Sequence, residues 1–582
     1  MKFRWTIAPA QPLLTSPLAG ALGISPLLAQ CLLNRGVTEP ETISRFLNPR
    51  LKQLADPFAI PNMHLAVERL MRCRQQNEPL VIFGDYDVDG VTSTTLLAEV
   101  LGALGWTADV YLPCRFEEGY GLSRDGVENC LEKFPAKLLL AVDCGSTAVD
   151  TIQWLATRGV DVIVLDHHQV SDPAPVAVAL VNPQLGSRQN ETGEFRQPAF
   201  AELCSVGLAF KLVHALVKRL REEGCARAVD FDLRPLLDLV ALGTIADIVP
   251  LIGENRPLVS AGLEKIKTTA RPGLMALKAV AKTDGDIGSY EVGFQLGPRL
   301  NAAGRLESAE ESLRLLKART LKEAEPLAHA LDARNRERQK IERSIAEEVI
   351  GAIRARFNPE TDFVIVEGQL LWHIGVVGIV ASRVVQEFYR PTLIVGADGD
   401  QWRGSGRSIE GFDLAAALRD CDDLLIRHGG HAMAAGVTVK PENLDALRQR
   451  LNELARRSLR PELLKPALRV DAEVSLPELT LQAVQELARL QPHGPSNPQV
   501  HLVARNLAHH QPPQRMGKEN QHVKFRLACG GDKPMEAVWW NCGDALLPKV
   551  MFDLAFVPQI NEFNGRRSVQ LKVLDWQPAS AP

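Results

Sequence analysis

The chain has 582 residues, room for about four domains of ordinary size. Hydrophobic residues make up 46% and charged residues 23%, alongside 43 glycines and 37 prolines, which excludes collagen, a coiled-coil rod and a disordered chain. The formal charge of −4 neither requires nor excludes a nucleic-acid partner, because contact patches are local. Ten scattered cysteines without a CxxC pair argue against zinc ribbons, thioredoxin chemistry and a disulfide scaffold, and fit a reducing compartment. No apolar run approaches the ~18 residues of a membrane span. The N-terminal segment faintly imitates a signal peptide, but Pro9, Pro12 and Pro17 interrupt it. A cytoplasmic protein with no membrane partner is expected.

Residues 1–60 read as short helices, with Ser25-Pro26 as cap and first turn and Gly36 as a stop. Across 61–255 apolar runs at 80–83, 137–142 and 160–165 alternate with helical stretches at 91–104 and 148–158. That alternation predicts a parallel sheet covered by helices, with ligands gathering at the carboxyl ends of its strands. Residues 256–358 read as a helical connector holding one long charged helix, including RNRERQKIER at 334–343. A second α/β region follows at 359–460, interrupted by two glycine-rich turns. Between 425 and 470 nine Lys or Arg stand against four Asp or Glu. Within 461–582, five alternating runs at 499–506, 522–528, 535–540, 550–559 and 568–576 predict a small β-barrel resembling an OB-fold. Asn564-Gly565 between the last two is a hairpin turn signal. The expected class is thus a multidomain α/β protein with a C-terminal OB-like barrel.

The chemistry concentrates in GDYDVDG at 84–90, directly after the first apolar run. Asp85, Asp87 and Asp89 fall within five residues, and such crowding calls for a cation to offset repulsion. Asp143 follows the second run in LLLAVDCGS, and Asp166, His167 and His168 follow the third in VDVIVLDHH. Asp247 closes DLVALGTIAD. Each acid therefore stands where an apolar element ends. Carboxylates with imidazole and no thiolate suit Mn2+ or Mg2+, and so many donors exceed one ion's needs. Two ions about 3.5–4 Å apart would use them, an arrangement typical of phosphoester hydrolysis. A single Asp at a strand end is more often a turn or cap, and a lone His-His pair is more often surface or core; four such motifs together favour the metal site. Asp85, Asp166 and His168 can each bind an ion or orient a residue that does.

These motifs, together with YLPCRFEEGYGL at 111–122, GPRLNAAGRL at 297–306, WRGSGRS at 402–408 and GGHAMAAG at 429–436, resemble the DHH phosphoesterase superfamily, and within it the RecJ branch of single-strand-specific 5′→3′ exonucleases. The resemblance runs from about residue 80 to 576. It implies a DHH domain, a DHH-associated second domain and an OB-like domain. It assigns Asp87, Asp89, Asp143, His167 and Asp247 to metal, with Asp143 bridging two ions. Phe83 departs from the pyrophosphatase-like members, which place a histidine there.

For substrate, glycine turns admit a phosphate to the backbone. Arg115, Arg299, Asn301 and Arg305 sit in Gly- and Pro-marked segments expected to be loops. Ser405, Arg407, Ser408 and His431 are candidates for a 5′-phosphate clamp, the alternative being plain glycine turns. His373 is either a core histidine or a site residue, and the resemblance favours the site. Phe525, Trp539 and Trp540 are candidates for base stacking or for core. The expected activity is metal-dependent hydrolysis of single-stranded DNA to 5′-mononucleotides, in recombination and repair including mismatch repair. Family analogy adds single-strand binding protein and a RecQ-type helicase as partners. The rival readings are a small-molecule or nano-RNA phosphodiesterase, disfavoured by the extra C-terminal strands, and a non-catalytic DNA-binding scaffold, disfavoured by the full set of acids.

Overall fold

The computed structural model describes residues 2–114, 118–119, 121–186, 200–283, 285–306, 308–530 and 534–579. They form two compact units, one of residues 45–337 with 491–498, the other of residues 1–44, 338–490 and 499–582. The division falls within one long helix, Leu321–Arg354.

The first unit is built on five parallel strands: β1 (Leu80–Gly84), β2 (Ala108–Tyr111), β3 (Leu138–Val142), β4 (Asp161–Leu165) and β5 (Ala179–Val181). Their order is β2-β1-β3-β4-β5. β1 and β3 are buried along their whole length, which is why they read as unbroken apolar runs rather than alternating ones. One face packs Ile82, Leu138 and Leu140 against helices α1 (Val88–Leu104), α2 (Ser205–Glu222) and α3 (Leu237–Ala246). The other packs Phe83, Leu139 and Ala141 against Ile152 and Leu155. Phe83 is thereby a core residue, stacked on Tyr111 at 5.5 Å.

The helices after residue 255 are no mere spacer. Leu258, Leu277, Leu296, Leu315 and Leu331 join the same core as the sheet, because each helix turns an apolar stripe inward. GPRLNAAGRL, expected in loops, forms helix α4 (Gly297–Leu306), entered through a π-helical turn, Val292–Leu296. Pro298 follows the π-helical turn inside a run that is helical from Ser289 to Leu306, so its missing N–H falls where the wider i→i−5 turn gives way to α-helix.

In the second unit, β6 (Ile365–Gln369), β7 (Thr392–Asp398), β8 (Gln401–Arg407), β9 (Leu425–His431) and β10 (Ala434–Val439) form a sheet of order β9-β10-β8-β7-β6. β6 and β7 are parallel, bridged in sequence by α5 (Val377–Phe388); the rest is antiparallel. Both glycine-rich motifs, expected as turns, are mostly strand. WRGSGR lies in β8, and GGHAMAAG is a hairpin of β9 and β10. Glycine is required there by packing: a Cβ on Gly404 would stand 2.5 Å from the Ile394 carbonyl oxygen, and one on Gly406 2.5 Å from Leu414 Cδ2.

The C-terminal part is a seven-stranded sheet of β11 (Ala472–Glu473), β12 (Leu502–Leu507), β13 (His509–Met516), β14 (His522–Leu527), β15 (Met535–Trp539), β16 (Phe552–Phe563) and β17 (Arg566–Pro578), in the order β11-β12-β16-β17-β15-β14-β13. Asn564 and Gly565 take positive φ and turn β16 into β17 as their pairing predicts. β13, HHQPPQRM, has no alternation and two prolines; it is tolerated because it is an edge strand with register shifts. The N-terminal segment packs on this part of the unit. Arg4–Ile7 pairs with Ala467–Val470, and Arg35 forms an ion pair with Asp471 at 3.0 Å. Among the described residues no single helix is long and apolar enough to cross a membrane.

Candidate active site

Strand order explains the site. β1, β3 and β4 are adjacent and parallel, so the residues following them emerge side by side. Asp85 follows β1, Asp143 follows β3 and the Asp166-His167-His168 triplet follows β4. Asp87 caps α1, its carboxylate accepting from Gly90 N at 3.0 Å. Asp89 lies in the first turn of α1, fully buried, and accepts from the N–H groups of Ser205 at 2.7 Å and Val206 at 2.8 Å. Those donors are the free amides opening α2, so the helix terminus anchors the carboxylate. Asp247 caps the C-terminus of α3 rather than following a strand.

Asp143 sits at the centre. It holds a left-handed backbone, φ 64°, and its Oδ1 accepts from Ser205 Oγ at 2.8 Å. His167 Nε2 lies 3.6 Å from Asp143 Oδ1, 3.4 Å from Asp247 Oδ2 and 4.0 Å from Asp89 Oδ2. Among the described residues three groups of three have donor atoms within 4.8 Å of one another: Asp143 with His167 and His168, Asp85 with Asp87 and Asp143, and Asp89 with Cys204 and Asp247. Asp143 belongs to two of them.

Asp166 plays a different part. It accepts from Ser146 N, His167 N and His168 N, and from His168 Nδ1 at 2.7 Å. It thus folds the turn that presents both imidazoles.

The electrostatics describe a site short of positive charge. Burial, then Asp89, push Asp143 well above the usual carboxylate range. Burial, then Asp87, lift Asp89 to about 7. Burial, then Asp89 and Asp87, lift Asp247 to about 9. Burial, then His168, lower His167 to about 4, leaving it neutral and suited to ligate. Burial also pulls on His168, but the bond to Asp166 and its charge outweigh that and raise it to about 9. Asp166 is correspondingly held well below the ordinary range.

A hard divalent cation fits this donor set. Among the described residues His167 Nε2 and Asp247 Oδ2 are buried without a hydrogen-bond partner and lie 3.4 Å apart, an arrangement costly unless a cation fills the space. Oxygen and imidazole donors suit Mn2+ and Mg2+. Cys204 is a soft group in the third set of donors. Burial, then Asp89 and Asp247, hold its thiol well above its ordinary value, so it remains a neutral donor to Asp89.

Cys204 and Ser205 were not among the sequence candidates. Their signal was ELCSVG just before a long apolar run, the entry to a helix, but which carboxylates that entry meets is set by tertiary packing.

The substrate candidates fall in several places. Asn301 Oδ1 accepts from Val88 N at 3.1 Å, within the acidic motif. Gly304 backs the same motif: a Cβ there would stand 2.9 Å from the Tyr86 carbonyl oxygen. Arg299 pairs with Asp332 at 3.0 Å and donates to the Gln295 carbonyl, and Arg305 lies in the last turn of α4. In the second unit, cross-strand register sets His431 beside Ala434 and Ala434 beside Arg407. Arg407 donates to Ser405 Oγ at 2.8 Å, and a Cβ on Gly378 in the first turn of α5 would stand 3.1 Å from that oxygen. His373 Nδ1 accepts from Gly375 N in the loop before α5. Ser408 is buried and donates to the Phe412 carbonyl. Arg115 lies outside the described residues. In the C-terminal sheet Phe525 is core, stacked on His509 at 5.7 Å, whereas Trp540 is exposed and meets His522 edge-on at 4.9 Å.

A parallel sheet with this acidic and imidazole cluster defines a phosphoesterase of the DHH class. The comparisons agree: the DHH family N-terminal domain matches residues 79–244, the DHHA1 domain 361–457 and the RecJ OB domain 470–575. The single-stranded-DNA-specific exonuclease RecJ of Bacillus subtilis (strain 168) is 37% identical over 586 residues, covering 99% of this chain and 71% of that protein. The RecJ of Escherichia coli (strain K12) is 34% identical, covering 94% and 95%. The crystal structure of Thermus thermophilus RecJ with Mn2+ superposes with a TM-score of 0.83 at 30% identity, covering 100% of this chain and 80% of that one. Its complex with Mg2+ gives 0.77 at 29% identity, covering 100% and 79%. The chain belongs to the RecJ family of single-stranded-DNA-specific exonucleases.

Proposed function

We propose that this protein hydrolyses single-stranded DNA from the 5′ end to 5′-mononucleotides, using two Mn2+ or Mg2+ ions. The observation that carries the reading is Asp143, shared by two donor groups, as a residue bridging two cations must be. Asp85, Asp87 and Asp143 would hold one ion, and Asp143 with His167, Asp89 and Asp247 the other. Bound divalent cations supply the charge that activates water and offsets the negative phosphoryl oxygens.

The chain's own residues do the rest. Ser205 Oγ fixes the rotation of the Asp143 carboxylate. Asp166 holds the half-exposed His168 ring by its Nδ1, which leaves the other ring nitrogen suited to donate to a non-bridging phosphate oxygen. Ser405 and Arg407 on β8, with His431 two strands across at the same register, offer donors suited to a terminal phosphate. Trp540 offers an exposed ring to a base. Recombinational and mismatch repair in the cytoplasm, with single-strand binding protein and a RecQ-type helicase as partners, completes the proposal, on family grounds.

The test is digestion of a single strand labelled at either end. With Mn2+ the 5′ label should appear at once as mononucleotide while the 3′ label persists in shortening strands; EDTA should stop both. Early release of the 3′ label would overturn the polarity, and turnover in EDTA the metal requirement.

A further inference from the structure

Two large aromatic side chains, Tyr290 and Phe294, are 62% and 70% exposed. They stand one helical turn apart with ring centroids 5.0 Å apart and planes tilted by 31°. Exposed paired rings on this scale are uncommon on a protein surface without a partner. They flank the start of the π-helical turn Val292–Leu296, and such turns often mark functional sites.

This segment is fastened to the acidic cluster at both ends. On one side a Cβ on Gly293 would stand 3.6 Å from Ile245 Cγ2, and one on Gly297 3.4 Å from Ala246 Cβ. The turn therefore leans on the two residues that precede Asp247. On the other side Asn301 accepts from Val88 N, and Gly304 lies against Tyr86, inside the motif that carries Asp85, Asp87 and Asp89. Beyond Asp247 comes Ile248, 71% exposed and at φ 61°, a conformation that β-branched residues avoid. An apolar residue is thus held in the open beside the cluster at a cost in backbone strain.

We infer that Tyr290 and Phe294 form a stacking platform for an unpaired nucleobase of the strand being hydrolysed, and that exposed Ile248, next to Asp247, offers the same strand a further apolar contact. The occupant follows from position, since the rings are tied to a site for phosphodiesters, where the nearest flat apolar surface on a substrate is a base. Stacking on an aromatic face tolerates any base and requires an unpaired one. The inference rests on the exonuclease reading above and adds to it the contact that favours a single strand.

The test uses the full-length chain with Mn2+ and compares an ordinary single strand with one whose first five nucleotides are abasic. Phe294→Ala should raise KM on the ordinary strand roughly tenfold with kcat little changed. Wild type should lose a similar factor on the abasic strand, where Phe294→Ala should lose nothing further. Phe294→Trp should restore KM, and Phe294→Leu, which keeps apolar bulk without a ring, should not. An unchanged KM for Phe294→Ala, an equal rise on both strands, or rescue by leucine would each overturn the platform. Wild type that cleaves the ordinary strand while these variants behave so leaves the exonuclease reading standing. Wild type that cleaves no single strand overturns both.

Discussion

At the scale of residues, the site is a set of like charges held together by the backbone. Asp89 is buried among carboxylates because α2 opens onto it with two free amides. Asp143 is turned toward the same space by an αL backbone and by Ser205. Asp143→Ala should therefore abolish hydrolysis, by about a thousandfold or more, while circular dichroism and the melting temperature of the metal-free protein stay unchanged or rise, since a buried carboxyl crowded by other acids is gone. Ser205→Ala should leave all proposed ligands in place yet weaken Mn2+ binding by about 10–100-fold, as removal of an orienting partner does. Calorimetric titration of Mn2+ measures it, and an unchanged Kd would show that Ser205 does not orient Asp143. The candidate residues at strand ends were legible because strand ends are where a parallel sheet collects ligands. Ser205 and Cys204 were not, because nothing local to them says which carboxylate their helix will meet.

At the scale of elements, the crowded acids link protonation to stability. Asp89 and Asp247 hold protons in the metal-free fold up to about 7 and about 9, whereas the unfolded chain releases them near 4. Across that window the folded state binds more protons, so its stability falls as pH rises. The melting temperature of the metal-free protein should drop between pH 5 and pH 9, and saturating Mn2+ should restore it by an increment that grows with pH. A flat profile without metal would contradict the predicted crowding. Gly304→Ala tests the buttress behind the acidic motif. A Cβ 2.9 Å from the Tyr86 carbonyl forces helix α4 and the motif apart, so the variant should lose about 1–3 kcal/mol in denaturant unfolding, with weaker Mn2+ binding. The GPRLNAAGRL motif looked like a loop because glycine and proline usually punctuate loops. Here Pro298 follows a π-helical turn within a helical run and Gly304 admits a neighbour's backbone, a need that arises only in three dimensions. The same holds for the glycines of WRGSGRS, which are strand residues facing crowded neighbours.

At the scale of the whole molecule, each unit carries its own share of the chemistry. One holds the acidic cluster and the aromatic pair, the other the Ser405, Arg407 and His431 patch and the C-terminal sheet. The basic stretches that stood out in the sequence are partly neutralised locally: Arg334 pairs with Glu311, Arg336 with Asp332 and Arg450 with Asp423. Specific contacts should therefore matter more than bulk charge. Trp540→Ala should weaken binding of a long single strand severalfold while leaving hydrolysis of a dinucleotide unchanged, and equal losses on both would show a structural role for the ring. The five C-terminal runs and the Asn564-Gly565 hairpin were legible from alternation and turn chemistry. β13 was not, since an edge strand needs neither alternation nor freedom from proline.

Anomalous scattering from Mn2+-soaked crystals tests the central claim most directly. Two peaks are expected, about 3.5–4 Å apart on either side of the Asp143 carboxylate, within reach of Asp87, Asp89, His167 and Asp247. A single peak that does not touch Asp143, or none among these side chains at saturating Mn2+, would contradict it.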